Sequence, residues 1–246
     1  MNGSEPSEIP EFDIVPEQVD YAADVSDVLH AANGYPPHAG RRVRHREFAA
    51  GRVSRFPEGQ FAALRRQRGR DRVVGVAITM RTDRSPMADP LPWHEVVGDY
   101  GLPHHEPTGR WLYGVEIAVH PSYQRRGVGS ALYRARLALV EELGLEGWYA
   151  GGMLMGYYRH AHRLSPRAYA ERVIDGTLDD PTVTMQMHRG LHPAGIIEDY
   201  YPEKKAGNCA VLLIWRPDAA PARSRAGVRR RQTARADAAR RMRETA

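Results

Sequence analysis

Residues 111–143 constrain this chain more than any other stretch. Trp111, Tyr113, Val115, Ile117 and Val119 alternate with Leu112, Gly114, Glu116 and Ala118, a period of two that predicts a strand with two distinct faces. Beyond His120-Pro121-Ser122-Tyr123, the apolar residues Val128, Leu132, Ala135, Leu139 and Leu143 recur at helical spacing as far as a stop at Gly144. The order is therefore strand, glycine-containing turn, long amphipathic helix. Such a helix has to bury its apolar stripe, and a sheet is the surface beside it.

The flanking sequence extends that sheet. Strands are predicted at 12–15, 60–65, 72–80, 145–150, 194–197 and 208–215, with Gly69-Arg70-Asp71 as a hairpin-like connection between the second and third. Helices are predicted at 19–32, ended by Asn33-Gly34, at 166–174 after the Ser165-Pro166 cap, and from Asp180-Pro181 to Arg189. Residues 82–108 carry five prolines and read as a long loop with one helical turn near 93–97. The Arg-rich residues 41–55 give no clear period. Strands and helices mix without strict alternation, which predicts an α+β fold of one domain over 11–215, preceded by a flexible 1–10 and followed by an Arg-rich, disordered tail over 216–246.

Charge is unevenly spread along these 246 residues. Eleven arginines against Glu47, Glu58 and Asp71 leave +8 on residues 41–72; ten against Asp218, Asp237 and Glu244 leave +7 on residues 216–246; the whole chain carries only +5. The folded body is thus acidic outside two basic segments. No run approaches the roughly 20 apolar residues that span a bilayer, and the acidic, Pro-rich start has no basic-then-apolar leader, so a soluble cytoplasmic protein is expected. Cys209 is the single cysteine, which excludes an internal disulfide and a multi-cysteine zinc site. The pairs His104-His105 and His160-x-His162 lack carboxylates at a ligand spacing, and no metal is expected.

The chemistry resides in Gln124-Arg125-Arg126-Gly127-Val128-Gly129-Ser130, between the clearest strand and the clearest helix. A helix start exposes unpaired N–H groups and partial positive charge, and glycines there let a phosphate approach the backbone with no Cβ in the way. Arg125 and Arg126 add cationic donors and Ser130 a hydroxyl. A P-loop would need Lys-Ser/Thr after its last glycine, where Ser130-Ala131 stands, and a dinucleotide fingerprint would need glycine at Leu132.

With Val119-His120-Pro121 leading into it, this run resembles the acyl-CoA signature of the GNAT N-acetyltransferase superfamily, Gln/Arg-x-x-Gly-x-Gly/Ala after a hydrophobic strand. Phe56-Pro57-Glu58-Gly59-Gln60-Phe61, Leu112-Tyr113-Gly114, Gly151-Gly152, Gly156-Tyr157, Asp180-Pro181 and Leu213-Ile214-Trp215 also look like the acetyltransferase module found fused to nitrilase-type amidohydrolases. The resemblance implies a mixed, mostly antiparallel twisted sheet flanked by helices, with splayed central strands. It implies acetyl-CoA as cosubstrate, its pantetheine paired with the backbone of Ile117, Ala118 and Val119 and its pyrophosphate cradled by Gln124, Arg125, Arg126, Gly127, Val128, Gly129 and Ser130. It implies direct attack by an amine of a small molecule or a protein, with no acyl-enzyme.

An alkylamine with a pKa of about 10 is protonated at neutral pH and needs a base. Glu116, on the signature strand between small neighbours, is the candidate, with His104, His105 and Glu106 behind it. In this superfamily a tyrosine four residues before a Gly-Phe pair often protonates the leaving thiolate. Gln186 stands in that place here, so Tyr200 and Tyr201 are the remaining candidates. Cys209, in an apolar strand, reads as a buried structural thiol. A second class of function stays open: a non-catalytic acyl-CoA-binding or nucleic-acid-associated protein, in which the basic tail neutralises phosphates.

Overall fold

The computed structural model describes residues 12–34, 39–66 and 70–217. The chain divides into two units after Arg216, and the first is described here; the expectations for residues 1–10, for the tail from 218 and for Gly69 in the hairpin lie outside the described residues. Among the described residues no helix is long and apolar enough to cross a membrane.

Among the described residues, seven strands form one sheet in the order β1-β2-β3-β4-β5-β7-β6. They are β1 (Asp13–Pro16), β2 (Gln60–Arg65), β3 (Arg72–Thr82), β4 (Trp111–Val119), β5 (Gly147–Met153), β6 (His192–Ile197) and β7 (Ala210–Trp215). All neighbours run antiparallel except β4 and β5. A parallel pair needs a crossover, and the amphipathic helix supplies it. The fold is thus α+β with a mixed, mostly antiparallel sheet, as expected.

The helices among the described residues are α1 (Ala22–Asn33), α2 (Ala39–Arg55), α3 (Trp93–Val97), α4 (Val128–Leu143), α5 (Pro166–Ile174) and α6 (Val183–Met187). One sheet face packs Val76, Ile78, Tyr113 and Leu212 against Val25, Val28 and Leu29 of α1 and Trp93 and Val97 of α3. The other packs Leu112, Trp148 and Leu213 against α4, α5 and α6 through Tyr133, Val140, Tyr169 and Val183. The Arg-rich stretch without a clear sequence period is the helix α2. The span predicted as one helix from Asp180 to Arg189 is the shorter α6: Asp180 accepts the Thr182 and Val183 N–H groups at its start, as well as the Gly156 N–H and the Tyr169 hydroxyl, and at its end the Arg189 and Gly190 N–H groups turn back to the Gln186 and Met187 carbonyls. β5 begins later and runs further than predicted, since Leu145 still caps the end of α4 through the Val140 carbonyl.

α2 is tied to the body by charge. Arg52 donates from Nε and Nη2 to both carboxylate oxygens of Glu17, the two side chains 2% and 0% exposed. A third donor, Nη1, reaches the Tyr100 carbonyl at 3.4 Å, and Arg55 donates to the Gly101 carbonyl at 3.0 Å. Truncating one partner of a buried pair strands the other charge. Glu17→Ala is therefore expected to lower unfolding stability by about 3–5 kcal/mol in urea titration, whereas Asp13→Ala, which removes an exposed ion pair with Arg66, lowers it by less than about 1 kcal/mol.

Candidate active site

The alternation of β4 does not run its full length. Ile78 of β3 pairs with Glu116 and Thr79 pairs with Gly114, so Val115 is an extra residue, a β-bulge. The bulge corrects the predicted faces: Ile117 and Val119 pack with α4, while Ala118 joins Tyr113 and Val115 on the α1 and α3 face. Gly114, expected to share a face with Glu116 and Ala118, instead lies against the Trp148 indole on the α4 side.

Two side chains satisfy the carbonyls that the bulge displaces. From the α3 side, the Trp93 indole Nε1 donates to the Val115 carbonyl at 3.2 Å. From the α4 side, Arg136 donates through Nη2 to the carbonyls of Glu116 and Ile78. Arg136 is 2% exposed, and burial lowers its guanidinium pKa to about 10, which leaves it charged at neutral pH.

β4 and β5 pair only at Trp111–Gly147, Leu112–Trp148 and Tyr113–Tyr149. Beyond that rung the two strands diverge, so from Gly114 onward the β5-facing edge of β4 has no strand partner. Side chains stand in at two points of this edge: the Glu116 Oε1 accepts the Ile117 N–H at 3.0 Å, and the Gln124 Nε2 donates to the Val119 carbonyl at 3.1 Å. The Ile117 N–H and the Val119 carbonyl mark this edge, with Ala118 between them in register with Val76 of β3.

The glycine turn follows directly. Arg125 and Gly127 both have positive φ, 60° and 84°, and Gly127 caps α4. The first intrahelical bond runs from the Ala131 N–H to the Gly127 carbonyl at 3.0 Å, so the amides of Val128, Gly129 and Ser130 precede it and have no acceptor within the helix. A Cβ on Gly129 would meet only Val119 Cγ2 at 3.8 Å, and its φ is not positive. Neither backbone strain nor internal crowding demands glycine there, which leaves room for a group approaching from outside. Arg125 and Arg126 are exposed beside the turn.

Glu116 is half-buried between the two features. Its Oε2 accepts from the Tyr100 hydroxyl at 3.1 Å. Burial pushes its carboxyl above the usual carboxylate value, while the Ile117 N–H, the Tyr100 hydroxyl and Arg136 pull it back. Tyr200 is buried beneath Gly151 at the strand divergence, its hydroxyl 2.8 Å from that of Tyr113, and burial raises its pKa. Tyr201 sits edge-on to Trp93 at 5.6 Å. The other sequence candidates have structural duties: His105 stacks on Phe56 and accepts the Arg81 N–H, and Glu106 accepts the Asp83 N–H. Cys209 is buried, its thiol pushed up to about 11 by desolvation. No group of three or more potential metal ligands exists among the described residues.

On the α4 side of the divergence lies a second set of polar residues, of which sequence reasoning singled out only Gln186, and that as the residue in place of a thiolate acid. Four side-chain polar atoms there are buried with no protein partner: Arg136 Nε, Trp148 Nε1, Gln186 Oε1 and Arg189 Nε. All four residues touch Tyr133, through ring contacts or, for Gln186, a 3.0 Å hydrogen bond to the phenol oxygen. Only their distance in sequence hid them as a set.

A bare-backbone helix start and a half-buried carboxylate thus flank one unpaired stretch of β4 edge, from opposite faces of the sheet. The acetyltransferase (GNAT) family model matches residues 26–160, more than half of the chain. The chain belongs to the GNAT acetyltransferase family. Acyl transfer is the chemistry that follows from that membership. This GNAT chain is 28% identical over 181 residues to YkwB of Bacillus subtilis (strain 168), an uncharacterized N-acetyltransferase, covering 74% of this chain and 78% of YkwB. It is 30% identical over 171 residues to YhcX of the same organism, a probable hydrolase, covering 69% of this chain and 33% of YhcX. Among solved structures it is similar to the GphF GNAT-like decarboxylase in complex with isobutyryl-CoA, with a TM-score of 0.63 at 24% identity over 83% of this chain and 98% of that one, a likeness of fold.

Tyr100 is the hydroxyl donor on Glu116, and hydrogen bonds to a carboxylate favour its ionised form. In Tyr100→Phe the Glu116 titration is expected to move further up, read from the pH dependence of its side-chain carboxyl carbon by NMR; an unmoved or lowered midpoint contradicts the arrangement.

Proposed function

We propose that this GNAT protein moves an acetyl group from acetyl-CoA to a primary amine by direct attack. One observation carries the reading: the Gly127–Gly129 backbone lies bare at the start of α4, continuous with the β4 edge that β5 leaves unpaired. The first-turn amides of Val128, Gly129 and Ser130 suit a pyrophosphate, with Gln124, Arg125 and Arg126 around it. The edge at Ile117, Ala118 and Val119 suits the amide-bearing pantetheine arm, which pairs with backbone as a strand would. When bound, the thioester supplies an acyl carbon open to amine attack.

The chain's own groups then divide the work. The Ile117 N–H, on release from Glu116 Oε1, donates to the acyl oxygen, where charge develops. Glu116, its proton affinity raised by burial, removes a proton from the attacking amine directly or through one water. The amine approaches from the opposite sheet face, where Tyr113, Tyr149, Gly151 and Leu212 line a shallow, solvent-open hollow. The acceptor is a small molecule or a protein amine. Tyr200 lies on this same face and keeps its proton, which fits it as a proton donor; Tyr201, turned to Trp93, fits less well. Direct transfer accords with Cys209, which is buried and held as a thiol. We also propose that the chain is akin to acetyltransferase modules fused to nitrilase-type hydrolases; the match to one third of a probable hydrolase supports this.

The test is free-thiol release from acetyl-CoA across a panel of primary amines. Turnover is expected, and Glu116→Gln is expected to lower kcat about 100-fold or more. The wild-type rate rises with pH on an acid limb above the ordinary carboxylate value of 4.5, because only ionised Glu116 accepts a proton, and this limb disappears in Glu116→Gln. Saturable binding without turnover on any amine would favour a non-catalytic acyl-CoA-binding protein. A folded protein that does not bind acetyl-CoA at all would sink the reading.

A further inference from the structure

The buried atoms around Tyr133 are an anomaly, because buried polar groups in folded proteins are almost always paired. Within one cluster the indole Nε1 of Trp148, the amide oxygen of Gln186 and the Nε atoms of Arg136 and Arg189 all lack a protein partner, and Gln186 and Trp148 are 5% and 0% exposed. Arg136 is accounted for by the carbonyls it bridges. Arg189 is not. It lies two residues past α6 and donates to the Met185 carbonyl and, at 3.1 Å, to the hydroxyl of Ser130 in the first turn of α4. Its guanidinium covers the Tyr133 ring at 5.2 Å. Among the described residues no carboxylate pairs with it.

This is an unfavourable place for a lone cation. The start of α4 already carries partial positive charge and uncommitted amides, and Arg125 and Arg126 stand on the same turn. An Arg brought there across the cleft, without a counter-charge, is explained by an anion that completes the group. Gln186 reaches from α6 to α4 beside Arg189 and sits over Gly152 on the diverging half of β5; its unpaired Oε1 is an acceptor and asks for a donor, which the amide-bearing pantetheine arm of the same molecule would carry.

We propose that Arg189 is a phosphate ligand for the acyl-CoA, holding it from the α6 side opposite the glycine turn and exchanging Ser130 Oγ for a phosphate oxygen. This rests on the reading of the cleft as an acyl-CoA site. It adds to the motif a residue some sixty positions downstream, so the phosphate is gripped from two walls of the cleft rather than one. A planar fork with one arm already on Ser130 suits a phosphate better than a flexible ammonium does.

The experiment is isothermal titration of wild type, Arg189→Gln and Arg189→Lys with coenzyme A and with 3′-dephospho-coenzyme A. S-acetylpantetheine, which has no phosphate, is titrated alongside by NMR at millimolar concentration. Arg189→Gln is expected to weaken coenzyme A about tenfold or more, the worth of a charge-assisted hydrogen bond, with S-acetylpantetheine unchanged; Arg189→Lys falls between. An equal loss for dephospho-coenzyme A assigns the pyrophosphate, and a loss confined to coenzyme A assigns the 3′-phosphate. Undiminished coenzyme A binding by Arg189→Gln overturns the proposal and leaves the cofactor reading standing. An equal loss for S-acetylpantetheine also overturns it, since that marks a packing role. If wild type binds none of the three, the cofactor reading itself fails and the assignment falls with it.

Discussion

Everything at this site depends on one extra residue in β4. Without the bulge at Val115, the strand would keep its pairing phase with β3 and present Ile117 and Val119 to the α1 face. The bulge turns them toward α4 and displaces two carbonyls, which Trp93 and Arg136 then satisfy from opposite faces. Each of these side chains anchors the element that carries it. Trp93 fixes the long connection between β3 and β4 that brings Tyr100 to Glu116. Arg136 fixes α4, and with it the glycine turn, against the same point of the strand.

The divergence of β4 from β5 separates the two chemical halves of the site. On the α4 side lie the bare glycine turn and the polar cluster around Tyr133, suited to a phosphate-bearing arm. On the α1 and α3 side lie Glu116, Tyr100, Tyr113 and Tyr200, suited to moving a proton. An acyl group threaded between the strands would meet both. The buried Arg52–Glu17 pair supports this from a distance, because Arg52 also holds the Tyr100 carbonyl and so steadies the loop whose side chain bonds to Glu116.

Much of this was legible in the sequence because it is local. The strand, turn and helix at 111–143 and the glycines at 127 and 129 follow from short-range pattern, and both the α+β class and the family resemblance rest on them. The bulge was not legible, since Val115, Ile117 and Val119 are apolar and suit either phase of pairing. α2 was obscured because Arg52, buried on Glu17, reads in sequence like its exposed neighbours. Arg136 likewise reads as part of a solvated helix face, yet it is among the most buried side chains. Gln186 and Arg189 meet α4 only through tertiary packing, and no local period connects residues more than fifty positions apart. Tyr200 was found as a residue but not for its place, which the Tyr113 hydroxyl and the space above Gly151 determine.

The central claim is that an acyl-CoA lies along the open edge of β4 with its phosphates on the start of α4. Backbone amide NMR of the labelled protein, with acetyl-CoA titrated in, tests it most directly. The account predicts the largest shifts and new exchange protection at Ile117, Val119, Val128, Gly129 and Ser130, with Gly151 and Gly152 of β5 responding across the cleft. Perturbations that bypass both the β4 edge and the glycine turn, at concentrations that saturate the protein, would contradict it.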